Sequence, residues 1–379
     1  MMTRMTITNA RIVTPEAVVA GTVEVAGGQF ATVGNGSTRS RAAVDFEGDY
    51  LIPGLVELHT DNLERHFAPR PGVAWPGRHA MLAHDSQVAA AGFTTVFDAI
   101  CVGDENEFRV THMRTMTEAV RQASALNVFR AEHFLHMRCE VSCAAMMELF
   151  APFRDDPRVR LVSLMDHTPG QRQFVDMGNY REFYRNRLGY TDAQLRDHMQ
   201  ERRLARAQHS SRNRRALLAA LDGRDIVLAS HDDGTRDHID EAVREGITIA
   251  EFPTTFEAAD TARRNGLTIL MGAPNLVLGG SHSGNVSALD LAAAGLLDAL
   301  SSDYVPTSML QGIFIIRDTI RDMTLPRAVA LATGNPARAA GLEDRGEIVC
   351  GKRADFVRVR EVDGVAVVRG TWRAGHRIA

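Results

Sequence analysis

From residue 55 to residue 303 the sequence repeats one pattern: a short apolar run, often closed by histidine or a carboxylate, and then a helical stretch. The runs read LVELH, FTTVFDAI, FLHMRCE, VRLVSLMDH, DIVLASHD, GITIAEFPT, LTILMGAPN and LLDALSSDY, and segments such as MRTMTEAVRQASAL, NRRALLAALDG and HIDEAVREG separate most of them. Runs of that length are buried strands, and the intervening 3.6-residue periodicity is helical. Strand and helix alternating about eight times predicts an α/β protein, a (β/α)8 TIM barrel. One insertion, from QRQFVDMGNY to RRLARAQHSS, is helical, rich in Arg and Tyr, and expected over the barrel mouth.

The two ends have a different rhythm. MTITNARIV, GTVEVAGGQFATVG and AAVDFEG alternate β-type runs with turns, and so does RGEIVCGKRADFVRVREVDGVAVVRGTWRAGHRI. We expect a small β-sandwich domain built from both termini, residues 1–52 and 344–379, around a barrel of residues 53–343. A chain of 379 residues with 45% hydrophobic and 24% charged side chains has the material for both cores and no bias toward disorder.

A net charge of −4 gives no electrostatic reason to expect nucleic acid or an anionic membrane as partner. The opening MMTRMTITNARIV has no continuous apolar stretch of the secretory kind, and no segment approaches the ~20 apolar residues of a membrane span. A cytoplasmic location is the expectation. The cysteines, Cys101, Cys139, Cys143 and Cys350, are too few and too scattered for a disulfide framework or a four-thiolate zinc site.

In such barrels the reacting groups come from the C-terminal ends of the strands. Here those ends supply His59 and Asp61, then His136, Arg138 and Glu140, then Asp166 and His167, then His231, Asp232 and Asp233, and finally Ser301, Ser302 and Asp303. Residues two apart on a strand share a face, so His59 and Asp61 point together, as do His136, Arg138 and Glu140. A lone histidine at a strand end is more often a hydrogen-bonded core residue than a ligand, and Asp233 before Gly234-Thr235 reads equally well as a turn and helix cap. The set is what argues otherwise. Imidazoles and carboxylates arriving from five strands, without thiolates, suit divalent Zn, Mn or Fe. Six ligands, His59, Asp61, Glu140, His167, His231 and Asp303, would suit two ions with Glu140 as the bridge. With Glu140 and His231 in the reacting centre, Asp303 would act as general base toward the attacking water.

These residues carry a resemblance. The β-rich ends, LIPGLVELHTD leading into the barrel, and the strand-end order His-x-Asp, Glu, His, His, Asp resemble the amidohydrolase superfamily. Within it, GLVELHTDNLERHFAPRPGVAWP, RAEHFLHMRCE, LVSLMDHTPGQRQF, LASHDDGT, IAEFPTTFEAA, LMGAPNLVLGGSHSGNV and LSSDYVP are similar, in order and over nearly the whole chain, to the branch that serves phosphonate utilisation. The resemblance implies a metal-bearing barrel with a small β domain. It also implies that water cleaves the 5-triphosphate of a ribose 1-methylphosphonate, releasing diphosphate and leaving the 5-phosphate. Asp61 departs from the superfamily pattern, standing where a second histidine is usual. A carboxylate is the harder ligand and favours Mn or Fe over Zn.

A triphosphate needs cations and backbone donors. The loop Gly279-Gly280-Ser281-His282-Ser283-Gly284-Asn285 follows the seventh strand, where barrels often hold phosphate, although no Gly-Lys-Ser/Thr makes it a P-loop. Ser281, His282 and Ser283, with Arg70 from the proline-stiffened first loop and Arg172 after His167, are the candidate phosphate contacts. Solvated surface charge is the ordinary alternative for each arginine. Two competing functions stand beside this one. A deaminase or deacylase acting on C–N bonds would use the same metals without the phosphate loop, and a metal-free barrel serving as a binding subunit would have lost several ligands. The expected partner is a small molecule, with a homodimer suggested by fold analogy alone.

Overall fold

A computed structural model describes residues 4–38, 40–70, 72–103, 107–170, 172, 178, 185, 189–281 and 284–379. Five strands open the chain: β1 (Arg4–Val13), β2 (Val18–Ala26), β3 (Gln29–Asn35), β4 (Val44–Asp45) and β5 (Tyr50–Pro53). Eight more follow: β6 (Leu55–Thr60), β7 (Phe93–Val102), β8 (Glu132–Glu140), β9 (Val159–Met165), β10 (Val227–His231), β11 (Ile249–Glu251), β12 (Thr268–Gly272) and β13 (Ala299–Ser301). Three close it: β14 (Phe356–Val362), β15 (Val365–Arg373) and β16 (His376–Arg377).

The middle eight strands form one parallel sheet in chain order, β6 to β13. It closes on itself. Thr60 bridges Asp303 in parallel, the Asp303 amide donates to the His59 carbonyl at 3.2 Å, and the Asp61 amide donates to the Asp303 carbonyl at 3.0 Å. Glu57 reinforces that seam, accepting the His59 amide at 2.9 Å on one carboxylate oxygen and the Ser302 amide at 2.8 Å on the other. Burial pushes this carboxyl up to about 7.

The inside of the barrel is layered by the period of two. Leu58, Phe97, Leu161, Ala229, Ile249, Leu270 and Ala299 pack together as an apolar layer. One step further along several strands the inward residue becomes polar: Ser163 after Leu161, His231 after Ala229, Glu251 after Ile249. The outward residues face the helices. Val96, Ile100, Leu135, Met137, Val162, Ala250, Ile269 and Leu300 join helix residues in a second, larger core.

The remaining strands make a separate eight-stranded mixed sheet in the order β16-β15-β14-β5-β1-β2-β3, with β4 beside β1. Both termini contribute, and β5 meets β14 antiparallel from Pro53–Phe356 to Tyr50–Val359. Its own core is Ile7, Ile12, Val23, Val25, Phe30, Phe46, Leu51, Phe356 and Trp372, the last two rings stacked at 4.9 Å. Leu55 starts the barrel two residues after β5 ends, so this sheet is anchored directly beneath the first barrel strand.

A 30-residue helix, Asp192–Leu221, begins with Thr191 and Gln194 in a reciprocal capping box. It crosses the ends of β8 and β9: Arg202 donates to Glu140, Arg206 to Asp166, and Asn213 to the carbonyls of Val141 and Cys143. Most of the insertion before it, 171 and 173–188, lies largely outside the described residues. Among the described residues no helix is long and apolar enough to cross a membrane.

Candidate active site

Two donor groups sit side by side at the C-terminal mouth. In the first, His59, Asp61 and Asp303 each present one ligand atom within 4.8 Å of the others, with His59 Nε2 3.8 Å from Asp61 Oδ1. In the second, His167, His231 and Asp232 do the same. Asp232 Oδ2 lies 3.3 Å from His231 Nε2 and 3.8 Å from His167 Nε2, and it is buried without a hydrogen-bond partner. A buried carboxylate oxygen left unpaired and facing two imidazole nitrogens is costly unless a cation satisfies it. That orphan oxygen and the all-nitrogen-and-oxygen donor set fit a divalent ion.

The two groups touch. The rings of His59 and His231 are stacked with centroids 5.7 Å apart and planes 15° from parallel. Behind both stands Glu251, wholly buried, with one oxygen 2.7 Å from His59 Nδ1 and the other 2.7 Å from His231 Nδ1. Burial opposes the charge on His59, but Glu251 raises its pKa above the ordinary histidine value. His136 lies edge-on to His59 at 5.2 Å and is bonded to the Leu58 carbonyl and Ser163 Oγ. Burial drives its pKa down to about 3.

Asp61 meets the half-buried guanidinium of Arg138, whose Nη1 donates to Oδ1 at 2.7 Å. Burial would raise this carboxyl, yet Arg138 and His59 hold it below the ordinary aspartate value. Asp303 has the opposite balance: burial and then the negative charge of Asp61 push it up to about 6. Asp303, Asp232 and Phe252 are non-glycine residues with φ of 53°, 56° and 55°, each just past a strand end. Such conformations cost roughly 1–3 kcal/mol and persist where the surroundings over-determine them. Here ladder bonds from Asp303 to His59, Asp232 to Glu251 and Phe252 to Leu270 fix all three.

The expected ligands therefore fall into two sets, His59, Asp61 and Asp303 in one, His167 and His231 in the other. Glu140, expected to bridge two ions, lies against His167. Its Oε2 is 2.8 Å from His167 Nδ1, and its Oε1 accepts from Ser142 at 2.5 Å and Arg202 at 3.2 Å. Burial would raise its pKa, but the His167 hydrogen bond and the charges of His167 and Arg202 bring it down to about 2. Arg172 is buried against Asp233 and reaches Glu241 at 3.2 Å. Arg70 is exposed, Ser281 is half-buried, and His282 and Ser283 lie outside the described residues.

Sequence reasoning missed Glu251 and left Asp232 to a turn. The strand-end position that singled out His231 applies equally to Glu251, the last residue of β11, and the two residues are paired in register.

The model of the amidohydrolase family matches residues 282–379. The α-D-ribose 1-methylphosphonate 5-triphosphate diphosphatase of Escherichia coli (strain K12) is 46% identical over 99% of this chain and 100% of its own length. The chain belongs to the amidohydrolase family. Adenine deaminase of Nitratidesulfovibrio vulgaris (strain Hildenborough) is a more distant relative of this amidohydrolase, 26% identical over 99% of the chain and 57% of the deaminase. Among solved structures, N-acetylglucosamine-6-phosphate deacetylase from Pasteurella multocida shares its fold with a TM-score of 0.66 at 12% identity, covering 99% of both chains. The 5-methylcytosine deaminase from Klebsiella pneumoniae does so with 0.64 at 15% identity, over 99% of this chain and 98% of that one.

Proposed function

We propose that this amidohydrolase hydrolyses α-D-ribose 1-methylphosphonate 5-triphosphate to the 5-phosphate and diphosphate. The observation that carries this is the end-to-end 46% identity with the diphosphatase of that name. The reading includes two divalent ions, Mn, Fe or Zn, one held by His59, Asp61 and Asp303 and the other by His167, His231 and Asp232. When bound, they supply positive charge and Lewis acidity against the triphosphate.

The side chains do the rest. Water attacks the α-phosphorus, the bond from that phosphorus to the bridging oxygen breaks, and diphosphate leaves with the bonding electrons. Asp303 takes the proton from the attacking water on a carboxylate oxygen. In the metal-free chain burial and Asp61 raise its pKa, the direction that makes a carboxylate a better base. Glu140 and Glu251 orient the imidazoles of His167, His59 and His231 through their Nδ1 atoms. Arg138 keeps Asp61 ionised and aimed into the site.

Phosphorus NMR of purified enzyme supplied with Mn, the ribose triphosphate phosphonate and, separately, ATP tests the reading. Free diphosphate with a remaining 5-phosphate, and ATP inert, is the expected result. Turnover of adenine or N-acetylglucosamine 6-phosphate, with the triphosphate untouched, would transfer the same residues to C–N hydrolysis.

A further inference from the structure

We infer that Glu251 fixes the tautomers of His59 and His231 together, and so couples the two donor groups through one carboxylate. The inference rests on the reading of those histidines as ligands. It starts from valence. An ionised carboxylate only accepts hydrogen bonds, so both imidazoles at 2.7 Å must carry their proton on Nδ1. In the neutral rings, the form that can ligate an ion, Nε2 is thereby left with a free lone pair. His59 Nε2 faces Asp61 at 3.8 Å, and His231 Nε2 faces Asp232 at 3.3 Å.

The clamp is rigid. Glu251 is fully buried on the three-residue strand β11, next to Phe252, whose ring packs edge-on against both imidazoles at 4.9 and 5.5 Å. The His59 and His231 rings, 5.7 Å apart and nearly parallel, can both be met by one carboxylate only if each oxygen serves one ring.

The isosteric change Glu251→Gln separates this from a packing role. Glutamine offers one accepting oxygen and one donating NH2. One histidine keeps its Nδ1–H bond to the oxygen. The other meets the NH2, which must donate into Nδ1, so that ring's proton moves to Nε2 and its lone pair leaves the donor group. One of the two sites should lose its ion while the other keeps it.

Calorimetric Mn titration, metal content after dialysis and 15N spectra of the imidazoles, assigned with His59→Gln and His231→Gln, read this out without substrate. In metal-free wild type, at a pH high enough for the rings to be neutral, both should show the Nδ1–H form. In Glu251→Gln one ring should switch to Nε2–H, and affinity for one ion should fall about 10- to 100-fold, the cost typical of losing a ligand's outer hydrogen bond. Glu251→Ala, freeing both rings, should weaken both ions, and Glu251→Asp should not restore the pair because the shorter arm cannot span both. Two tightly bound ions and two Nδ1–H rings in the glutamine variant would overturn the clamp while leaving the ligands in place. A wild type with both Nδ1–H rings but no bound ion would instead remove the ligand reading.

Discussion

A second buried network, apart from the mouth, allows a stability prediction with a sign. His133 at the start of β8 has Nδ1 2.8 Å from Asp98 and Nε2 3.1 Å from Asp85, so both nitrogens donate to carboxylates and the ring is an imidazolium. Asp98 also accepts from His84 Nε2 at 2.7 Å, and His84 Nδ1 is 2.9 Å from the side-chain amide of Asn62, the residue after Asp61. Burial opposes the charge on His133, but Asp98 and Asp85 prevail and raise its pKa from 6.5 to about 9. A raised folded-state pKa stabilises fully below the unfolded value and is lost as pH climbs through the folded one. At about 1.4 kcal/mol for each tenfold change in proton affinity, the contribution is on the order of 3 kcal/mol, present below pH ~6.5 and gone above pH ~9. Urea unfolding of wild type and His133→Gln, at pH values across that window and with fixed Mn, measures it. The variant should be less stable by the largest margin at pH 6.5, and the margin should shrink toward pH 9.5. A margin independent of pH would refute the charged state of His133 and the role of its carboxylates.

Asp303→Asn should lower kcat about 10²- to 10⁴-fold with little change in KM, read from initial rates alongside metal content to separate lost base from lost ligand. Glu140→Gln should weaken the ion of the His167 group about 10- to 100-fold in Mn titrations and leave the His59 group loaded. Arg138→Met removes the charged partner of the half-buried Asp61 carboxylate and should cost roughly 1–3 kcal/mol in EDTA. The loss should shrink in excess Mn, because an ion beside Asp61 takes over the neutralising role. EDTA itself should lower Tm and abolish turnover, with both restored by Mn.

Much of this architecture was legible because it is periodic. Several of the eight apolar runs end in imidazoles or carboxylates, so His59, His231 and Asp303 could be assigned to strand ends before any coordinates. The sheet from both termini followed from turn-rich alternation in the same way. What the pattern cannot give is the direction of a side chain once the strand has ended. Asp232 and Asp303 lie in the left-handed region, where the backbone turns the carboxylate back toward the site, and nothing in His-Asp-Asp-Gly distinguishes that from a cap. Glu140 keeps its inward position but is captured by His167, Ser142 and Arg202, and that capture depends on a helix more than fifty residues later in the chain. Arg202 and Arg206 were invisible as site residues because their partners come from other strands.

The arginines near the mouth set a constraint on how a triphosphate is received. Arg138 is given to Asp61, Arg202 to Glu140, Arg206 to Asp166 and Arg172 to Asp233 and Glu241. Each of these carboxylates except Glu241 is either a proposed ligand or adjacent to one in sequence or space, so each guanidinium is already balancing charge within the protein. An arginine that turned to phosphate would strand a carboxylate, three of the five buried, a change costing several kcal/mol for each buried one. Charge for the substrate must therefore come mainly from what the donor groups hold, or from cations that are exposed in the described structure, such as Arg70. It follows that substrate affinity should depend on ion loading far more than on Arg172. Arg172→Met should destabilise the fold through Asp233 while changing KM little in the molecules that remain folded. A KM raised more than tenfold at unchanged Tm and metal content would show instead that Arg172 leaves Asp233 to meet phosphate.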